Sequence, residues 1–272
     1  MIFRKESPHH NILVYEDGPI RTLRLGEGPN DGKQSEIDLR NLGRHLLEYT
    51  RLSFAGLLFN QNPRHILVIG LGGGVIPRNM HYFFPETEID VVDIDPDVLD
   101  VARKYFFFET DDKLRVHIMD GRIFILNEAE KNPGKVFDMI VLDAYRSDNI
   151  PEHLITKEFH QQIAAILHPK GVVVSNVLTD RIFHSQVKTF LSVYGRSYVF
   201  MGRHAKNTII VSPGPDVIHL TPKNALETAE LLQEKHKFGF DLKSVAAQYK
   251  PRFKPKRGIK MLTDKHIPHY LI

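Results

Sequence analysis

Nearly continuous apolar runs alternate with amphipathic stretches through the middle of the 272-residue chain. We interpret the runs as strands of a parallel sheet, because such strands are buried on both faces and show no polar side. The predicted strands cover residues 65–70, 88–95, 114–120, 137–145 and 171–178. The predicted helices follow at residues 76–84, 97–106, 122–131, 156–167 and 181–194. This alternation predicts a parallel sheet with helices on both faces.

Shorter patterns precede and follow this region. Two apolar runs on either side of Asp17-Gly18-Pro19 predict a small β unit in the first 40 residues. A glycine-rich loop is expected at 26–33, and apolar positions at helical spacing predict a helix over 39–59. The runs YVFMGR and TIIVSP, between residues 198 and 213, predict a closing antiparallel pair.

The pattern changes after Pro213. Thr221 and Pro222 form an N-cap and first-turn pair for a helix that runs to about Lys237. The segment KPRFKPKRGIK, residues 250–260, then concentrates basic residues and proline, and we interpret it as part of an appendage. We therefore divide the chain into three parts: an N-terminal β domain with its linking helix (1–52), the sheet-and-helix domain (53–215), and a C-terminal helix with a basic tail (216–272).

Composition limits the chemistry that this chain can perform. It contains no cysteine, which excludes disulfides, zinc thiolate sites and cysteine nucleophiles. The fifteen histidines show no spacing typical of metal ligands, so we expect no metal. No segment approaches eighteen uninterrupted apolar residues, and we expect a cytoplasmic protein that does not enter a membrane. The net charge of +3 is small for this length and decides little.

The segment GLGGGVIPR, residues 70–78, follows the first predicted strand of the sheet. Four glycines in five positions require a tight turn or the close approach of a ligand. A dinucleotide fingerprint would need its third glycine at Val75, which disfavours a nicotinamide enzyme. The spacing of Gly70, Gly72 and Gly74 is more familiar from proteins that bind S-adenosylmethionine-like ligands. A glycine-rich bend without a ligand is the alternative interpretation.

Acidic residues close the next three predicted strands, and ligands of open parallel sheets lie outside these carboxyl ends. The residues are Asp93, Asp95, Asp120 and Asp143. Asp93 follows Gly70 by 23 residues, a spacing that suits a carboxylate accepting both ribose hydroxyls of an adenosine. Asp120, followed by Gly121, could accept from the adenine amine. The alternative for each acid is a cap on the following helix.

Five segments carry a more specific signal through their order and spacing. They are GLGGGVIPR, VVDIDPDVLDVARKYF, DGRIFI, LDAYRSDNIPEHLITKEF and LTDKHIP. Together they resemble the spermidine synthase family of polyamine aminopropyltransferases, and in particular its spermidine-synthase-like branch. The resemblance implies an α/β fold in which a methyltransferase-like Rossmann domain, with a mostly parallel seven-stranded sheet, carries a small N-terminal β domain and a C-terminal helical tail.

The resemblance also implies a reaction and its residues. An aminopropyl group would pass from decarboxylated S-adenosylmethionine to a small-molecule amine in a homodimer without metal, leaving methylthioadenosine. The implied catalytic base is Asp143. The implied cofactor-binding residues are Gln34, Gly70, Gly72, Gly73, Asp93, Ile94, Asp120 and Gly121. The implied substrate residues are Tyr49 and Tyr145, with Asp148 as a further candidate.

The sequence departs from the family pattern where the amine should bind. Gly73 stands where the family's glycine block has an aspartate, Arg51 where a glutamate follows the substrate tyrosine, and Arg146 where a second acid follows the base. Each change removes negative charge or adds positive charge. We therefore expect the space at Gly73 to admit a carboxylate, and Asp148 is a candidate to replace the lost acid. If both arginines face the site, putrescine and spermidine should be poor substrates.

Other interpretations stay open at this stage. Either arginine could instead turn outward and pair with Glu48 or Glu152. The protein could be a methyl or aminocarboxypropyl transferase that uses S-adenosylmethionine itself, a function for which this fold class is also used. It could also be a non-catalytic nucleoside-binding protein whose basic tail touches an acidic partner. Nucleic acid is disfavoured as that partner, because six basic residues with one aromatic residue are typical of a solvated tail.

Overall fold

The computed structural model describes residues 1–26, 32–132, 134, 136–145, 149–203 and 206–266. Its N-terminal part is a four-stranded antiparallel sheet in the order β1-β2-β3-β4. The strands are β1 (Phe3–Glu6), β2 (Asn11–Asp17), β3 (Ile20–Leu25) and β4 (Lys33–Asp38). The predicted turn joins β2 to β3 through Gly18, whose φ of 54° favours glycine. The small β unit is confirmed, and its outer strands β1 and β4 are additions that the sequence patterns did not predict.

The remaining strands form one seven-stranded sheet in the order β10-β11-β9-β8-β5-β6-β7. They are β5 (His65–Ile69), β6 (Glu88–Asp93), β7 (Leu114–Ile118), β8 (Phe137–Leu142), β9 (Leu167–Leu178), β10 (Tyr198–Met201) and β11 (Asn207–Pro213). The five strands from β5 to β9 are parallel to one another, and β11 runs antiparallel to both β9 and β10. The predicted sheet and its closing antiparallel pair are confirmed.

The helices pack against this sheet and at its end. They are α1 (Glu48–Leu52), α2 (Val75–Phe83), α3 (Pro96–Phe106), α4 (Gly121–Lys131), α5 (Lys157–Ile166), α6 (Phe183–Tyr194), α7 (Pro222–His236) and α8 (Leu242–Ala246). Two hydrophobic clusters flank the sheet, one containing Val68 and Phe54 and the other containing Leu67 and Phe159. Because consecutive residues of β5 belong to different clusters, the sheet is buried on both faces, as its apolar runs predict.

The prediction of one helix over residues 39–59 is wrong. Regular helix begins only at Glu48 and continues as a 3₁₀ segment over Ser53–Leu58. Before it, the Asp38 carboxylate accepts the main-chain N–H of Arg40, and the Asn41 side chain accepts that of Gly43. Such local bonds offer the backbone an alternative to the helix, and they override the apolar periodicity.

The C-terminal region is more closely packed than an appendage. Phe238, Leu242 and Val245 are at most 5% exposed and belong to the larger hydrophobic cluster. The three-part domain division stays a prediction. Within the described residues, no helix is long and apolar enough to cross a lipid bilayer.

The sheet order reverses between β5 and β8, which are neighbours although two strands and three helices separate them along the chain. In open parallel sheets a ligand binds outside the carboxyl ends of the strands at such a point. Gly70 and Asp143 are the residues that follow these two strands.

Candidate active site

The glycine turn brings two loops into contact at the reversal point. Gly70 has a φ of 100°, and an added Cβ would lie 2.3 Å from the main-chain oxygen of Asp143. No side chain fits at that distance. Gly70 is therefore required by the close approach of the β8 loop as well as by the turn itself.

Gly73 does not face an open space. Its N–H donates to Ser35 Oγ at 2.8 Å, and an added Cβ would lie 2.9 Å from both Ser35 Cβ and Phe106 Cδ1. The expectation that Gly73 leaves room for a ligand carboxylate is therefore wrong. The missing family aspartate is replaced by packing against β4 and α3.

Asp93 accepts one main-chain N–H on each of its carboxylate oxygens. Oδ2 accepts the Leu71 N–H at 2.8 Å, and Oδ1 accepts the Asp95 N–H at 2.9 Å. A carboxylate offers about four acceptor positions, so each oxygen keeps about one for a ligand. Burial raises the pKa of Asp93 above its usual range, while these two N–H groups act in the opposite direction.

Asp95 caps the start of α3, which is the alternative that the sequence left open for each acid. Its side chain accepts the Asp97 N–H at the start of α3 and is fully buried. It also accepts from Ser7 Oγ and lies 3.0 Å from His10 Nδ1, both in the turn between β1 and β2. These contacts attach the N-terminal sheet directly beside Asp93.

Asp120 combines a helix cap with an exposed acceptor. Oδ1 accepts the N–H groups of Arg122 and Ile123 in the first turn of α4, and Oδ2 lies 2.7 Å from His153 Nε2. Three of about four acceptor positions are therefore used, and about one remains. Both predicted roles, cap and ligand acceptor, are compatible with this geometry.

A cleft of about 750 Å³ opens along the carboxyl ends of the central strands. The predicted residues that line it are Gln34, Gly70, Gly72, Asp93, Ile94, Asp120, Gly121, Asp143 and Tyr145. Ile94 is 40% exposed there, and its apolar side chain offers a surface for a flat base. The geometry thus brings together all predicted cofactor-binding residues except Gly73.

A second cavity of about 250 Å³ adjoins the cleft. Tyr49, Glu48, Asn176 and Asn207 line it, together with residues of β4. Three residues border both spaces, and they are Gln34, Asp143 and Tyr145. A group bound in the second cavity would therefore meet a ligand of the cleft at Asp143.

The Asp143 side chain is suited to accept a proton. Its Oδ1 accepts from Asn176 Nδ2 at 2.8 Å, and Oδ2 has no hydrogen-bond partner within the part of the chain that the structure describes. Burial raises the pKa of Asp143 from 3.8 to about 7, although the Asn176 amide opposes the change. A general base works best with a pKa near the working pH.

Two tyrosines line the same cavity as this carboxylate, and each donates its hydroxyl to a main-chain oxygen. Tyr49 donates its hydroxyl to the main-chain oxygen of Gln34, and Tyr145 donates to that of Asn176 at 3.0 Å. Burial, and secondarily the charge of Asp143, raises the pKa of both phenols. Both hydroxyls therefore keep their protons at neutral pH.

Sequence reasoning missed several residues of this site, among them two asparagines and two histidines. Asn176 holds Asp143 and itself accepts from Asn207 Nδ2 at 3.0 Å, while His10 and His153 line the cleft. Asn176 is a polar residue within the predicted strand 171–178, and because Ser175 pairs with Leu142 it lies beside Asp143; its polarity within an apolar run could have identified it. His10 lies in the turn between β1 and β2, and His153 lies in a short 3₁₀ helix, Glu152–Leu154; neither periodicity nor metal-ligand spacing identifies them.

In the described part of the region where the amine is expected to bind, Arg51 pairs with Glu48, as one of the alternative interpretations predicts. Its guanidinium Nη2 lies 3.5 Å from Glu48 Oε1, and among the described residues it lines neither cavity. Glu48 also accepts the main-chain N–H of Arg203 at 3.0 Å. Arg146 and Asp148 lie outside the described residues. Across the residues that are described, no cluster of three His, Asp or Glu side chains could hold a metal ion.

Comparison with known proteins gives a consistent picture. A family model described as the spermine/spermidine synthase domain matches residues 48–211. A polyamine aminopropyltransferase from Vibrio vulnificus is 35% identical over 215 residues, which cover 78% of this chain and 71% of that protein. Human methyltransferase-like protein 13, solved in complex with SAH, has a TM-score of 0.65 and 28% identity over 78% of this chain and 97% of its own. Spermidine synthase from Thermotoga maritima has a TM-score of 0.70 over 92% of this chain and 84% of its own; at 17% identity this is a likeness of fold.

Proposed function

The chain belongs to the spermine/spermidine synthase family, and on this premise we propose that it transfers an aminopropyl group from decarboxylated S-adenosylmethionine to an amine. Methylthioadenosine is the nucleoside product in this proposal. The observation that carries it is the position of Asp143, which borders both the nucleoside-sized cleft and the second cavity.

The chemistry requires a base at the junction of the two spaces. The amine nitrogen attacks the methylene carbon beside the sulfonium sulfur, the carbon–sulfur bond breaks towards sulfur, and the nitrogen loses a proton. Only the neutral amine is nucleophilic, and deprotonating an ammonium of pKa about 10.4 at pH 7.4 costs roughly 4 kcal/mol. Asp143, with its pKa of about 7, receives that proton.

The proposed nucleoside contacts follow from the acceptors that remain available. Asp93 accepts the two ribose hydroxyls, one on each oxygen, and Asp120 accepts the adenine amine through Oδ2. Ile94 contacts the base, and Gln34 and the Gly70–Gly72 turn border the sulfur end. The proposed acceptor amine lies in the second cavity between Tyr49, Tyr145 and Asp143.

The amine acceptor is the least constrained part of the proposal. The expected repulsion of polyamines rests on the positive charges of Arg51 and Arg146. Because Arg51 pairs with Glu48, its charge no longer supports that expectation. A transfer assay with decarboxylated S-adenosylmethionine against diamines, polyamines and amino acids would identify the acceptor. We expect methylthioadenosine release that depends on an added amine. Release that is absent with every amine, from protein shown to be folded, would contradict aminopropyl transfer.

A second candidate is methyl or aminocarboxypropyl transfer from S-adenosylmethionine itself. It is favoured by the likeness to the methyltransferase solved with SAH, which is 28% identical to this chain. Thermal shift with each co-substrate separates the two, since a ligand at 100 times its dissociation constant adds about 2.7 kcal/mol. A shift with S-adenosylmethionine that exceeds the shift with the decarboxylated form would favour the second candidate.

Assembly and location complete the proposal. We propose a homodimer, as the family resemblance implies, and a cytoplasmic location, as the sequence patterns lead us to expect. Analytical ultracentrifugation would test the dimer, and cell fractionation would test the location.

A further inference from the structure

The last described segment, residues 250–266, runs across α6 to the start of α5, and we call it the strap. Leu262 N donates to Thr189 Oγ1 on α6 at 2.9 Å, and Leu262 O accepts the main-chain N–H of Lys157 at 2.9 Å. Lys157 is the first residue of α5. The first N–H groups of a helix lack partners within it, so the strap supplies one from outside.

Leu262 also packs beneath the loop that follows β8. It is 2% exposed and forms a small hydrophobic cluster with Ile155 and Ile182, against which Ile150 is partly buried. Ile150 lines the nucleoside cleft. The strap and the cleft therefore share the loop 149–155.

A polar contact continues from the strap towards the cleft. Asp264 forms a two-point ion pair with Arg122, with Nη1–Oδ1 at 2.9 Å and Nη2–Oδ2 at 2.7 Å. The remaining donors of Arg122 reach His153 O at 3.3 Å and Gln162 Oε1 at 2.8 Å. Two-point pairing fixes the orientation of a guanidinium, so Asp264 determines how Arg122 holds the main chain of His153.

His153 carries this constraint to Asp120. Its Nε2 lies 2.7 Å from Asp120 Oδ2, the oxygen that keeps about one acceptor position. The other oxygen is fixed by the first turn of α4. The direction of the remaining acceptor therefore depends on where His153 is held.

We propose that Arg122 and Asp264 are positioning residues for the adenine end of the cleft: through His153, the strap turns the free acceptor of Asp120 towards the exocyclic amine of the base. This inference rests on the proposed nucleoside site. A purely structural role for the ion pair would lower thermal stability without changing which base is bound.

The test compares two nucleosides on the full-length chain by titration calorimetry. Methylthioadenosine carries the exocyclic amine, whereas methylthioinosine carries a carbonyl in its place. We expect the wild type to prefer methylthioadenosine by roughly tenfold or more, the effect of one hydrogen bond to a charged acceptor. Asp264→Asn should reduce that preference to about twofold or threefold, raise KM for the nucleoside co-substrate, and leave kcat within about twofold.

Three further variants make the result specific. Arg122→Lys keeps the charge but loses the two-point geometry, so it should lose the preference as Asp264→Asn does, whereas Asp264→Glu should retain more of it. Glu227→Gln breaks the exposed pair with Lys223 on α7 and serves as the control that should match the wild type. If Asp264→Asn does not fold, Arg122→Lys and Asp264→Glu provide the same comparison.

The outcomes separate this inference from the proposed function. An undiminished preference in folded Asp264→Asn and Arg122→Lys would overturn the positioning role alone. A wild type that binds neither nucleoside would overturn the proposed function, and the inference with it.

Discussion

Asn176 donates a hydrogen bond from its side-chain Nδ2 to Oδ1 of Asp143 over 2.8 Å, from β9 to the end of the neighbouring β8. The amide is held in turn by Asn207 on β11, whose Nδ2 donates to Asn176 Oδ1 at 3.0 Å. Three adjacent strands therefore fix the orientation of one carboxylate. Because the bond favours the charged form, it keeps the pKa of Asp143 lower than burial alone would.

Asn176→Ala should move the pH dependence of turnover. Without the amide, the pKa of Asp143 rises above about 7, and the midpoint of kcat against pH should move up by on the order of one pH unit. Ser175→Ala is the matched control, because the Ser175 hydroxyl is buried and has no partner in the described structure. A midpoint equal in Asn176→Ala and the control would contradict this role.

Asp143→Asn should remove turnover while leaving the nucleoside in place. A lost general base typically costs about 100- to 10,000-fold in kcat, whereas the isosteric amide leaves the ribose and adenine contacts unchanged. Single-turnover kinetics and calorimetry with methylthioadenosine measure the two effects separately. Full activity in a folded Asp143→Asn protein would assign Asp143 to loop structure alone.

The same substitution should stabilise the fold at high pH. The folded-state pKa of Asp143, about 7, lies above its ordinary 3.8, so the native state binds the extra proton and stability is lost as pH rises between these values. The loss reaches at most about 4 kcal/mol above pH 7. We expect Asp143→Asn to have the higher Tm at pH 8, with the difference vanishing near pH 4. Equal melting curves of the wild type and Asp143→Asn at pH 8 would show that the charged carboxylate does not destabilise the folded state.

Asp93→Asn should weaken every adenosine ligand. The amide keeps the shape of the side chain but has one acceptor oxygen, so the ribose hydroxyls and the N–H groups of Leu71 and Asp95 compete for it. We expect affinity for methylthioadenosine to fall by on the order of tenfold or more. Asp97→Asn, which alters the ion pair with Lys5 in the first turn of α3, is the control. Unchanged affinity in folded Asp93→Asn would refute the ribose contact.

Gly73→Asp should destabilise the protein without improving polyamine turnover. Its Cβ would lie 2.9 Å from Ser35 and Phe106, and overpacking of this kind typically costs about 1–3 kcal/mol. Urea denaturation measures the loss, and the aminopropyl-transfer assay measures turnover. Wild-type stability together with faster putrescine turnover would mean that the turn can relax around the restored acid.

The fold was largely predictable from apolar periodicity, because strands buried on both faces leave long uniform runs. The periodicity failed over residues 39–47, where the Asp38 and Asn41 side chains bind nearby backbone groups. It also missed β4, whose alternating polar residues resemble a loop. Such local bonds and half-exposed edges depend on tertiary contacts that a pattern of apolar positions does not encode.

The candidate site was predictable where the residues follow strands, since topology alone gathers Asp93, Asp120 and Asp143 at one edge. The direction of a side chain was not predictable. Arg51 turns to Glu48, and Gly73 packs against Phe106, although their sequence positions pointed to the amine pocket. Only the packing around each residue decides these directions.

The close contact between Gly70 and the Asp143 main chain has a consequence for the directed evolution of new amine specificities. Libraries at Gln34, Tyr49 and Asn207 alter the walls of the second cavity, and these residues carry side chains that can be exchanged. We expect position 70 to tolerate no such diversity, because any Cβ would displace the backbone that carries Asp143, the proposed proton acceptor. A screen that randomises the whole glycine turn should therefore recover active clones only with glycine at position 70.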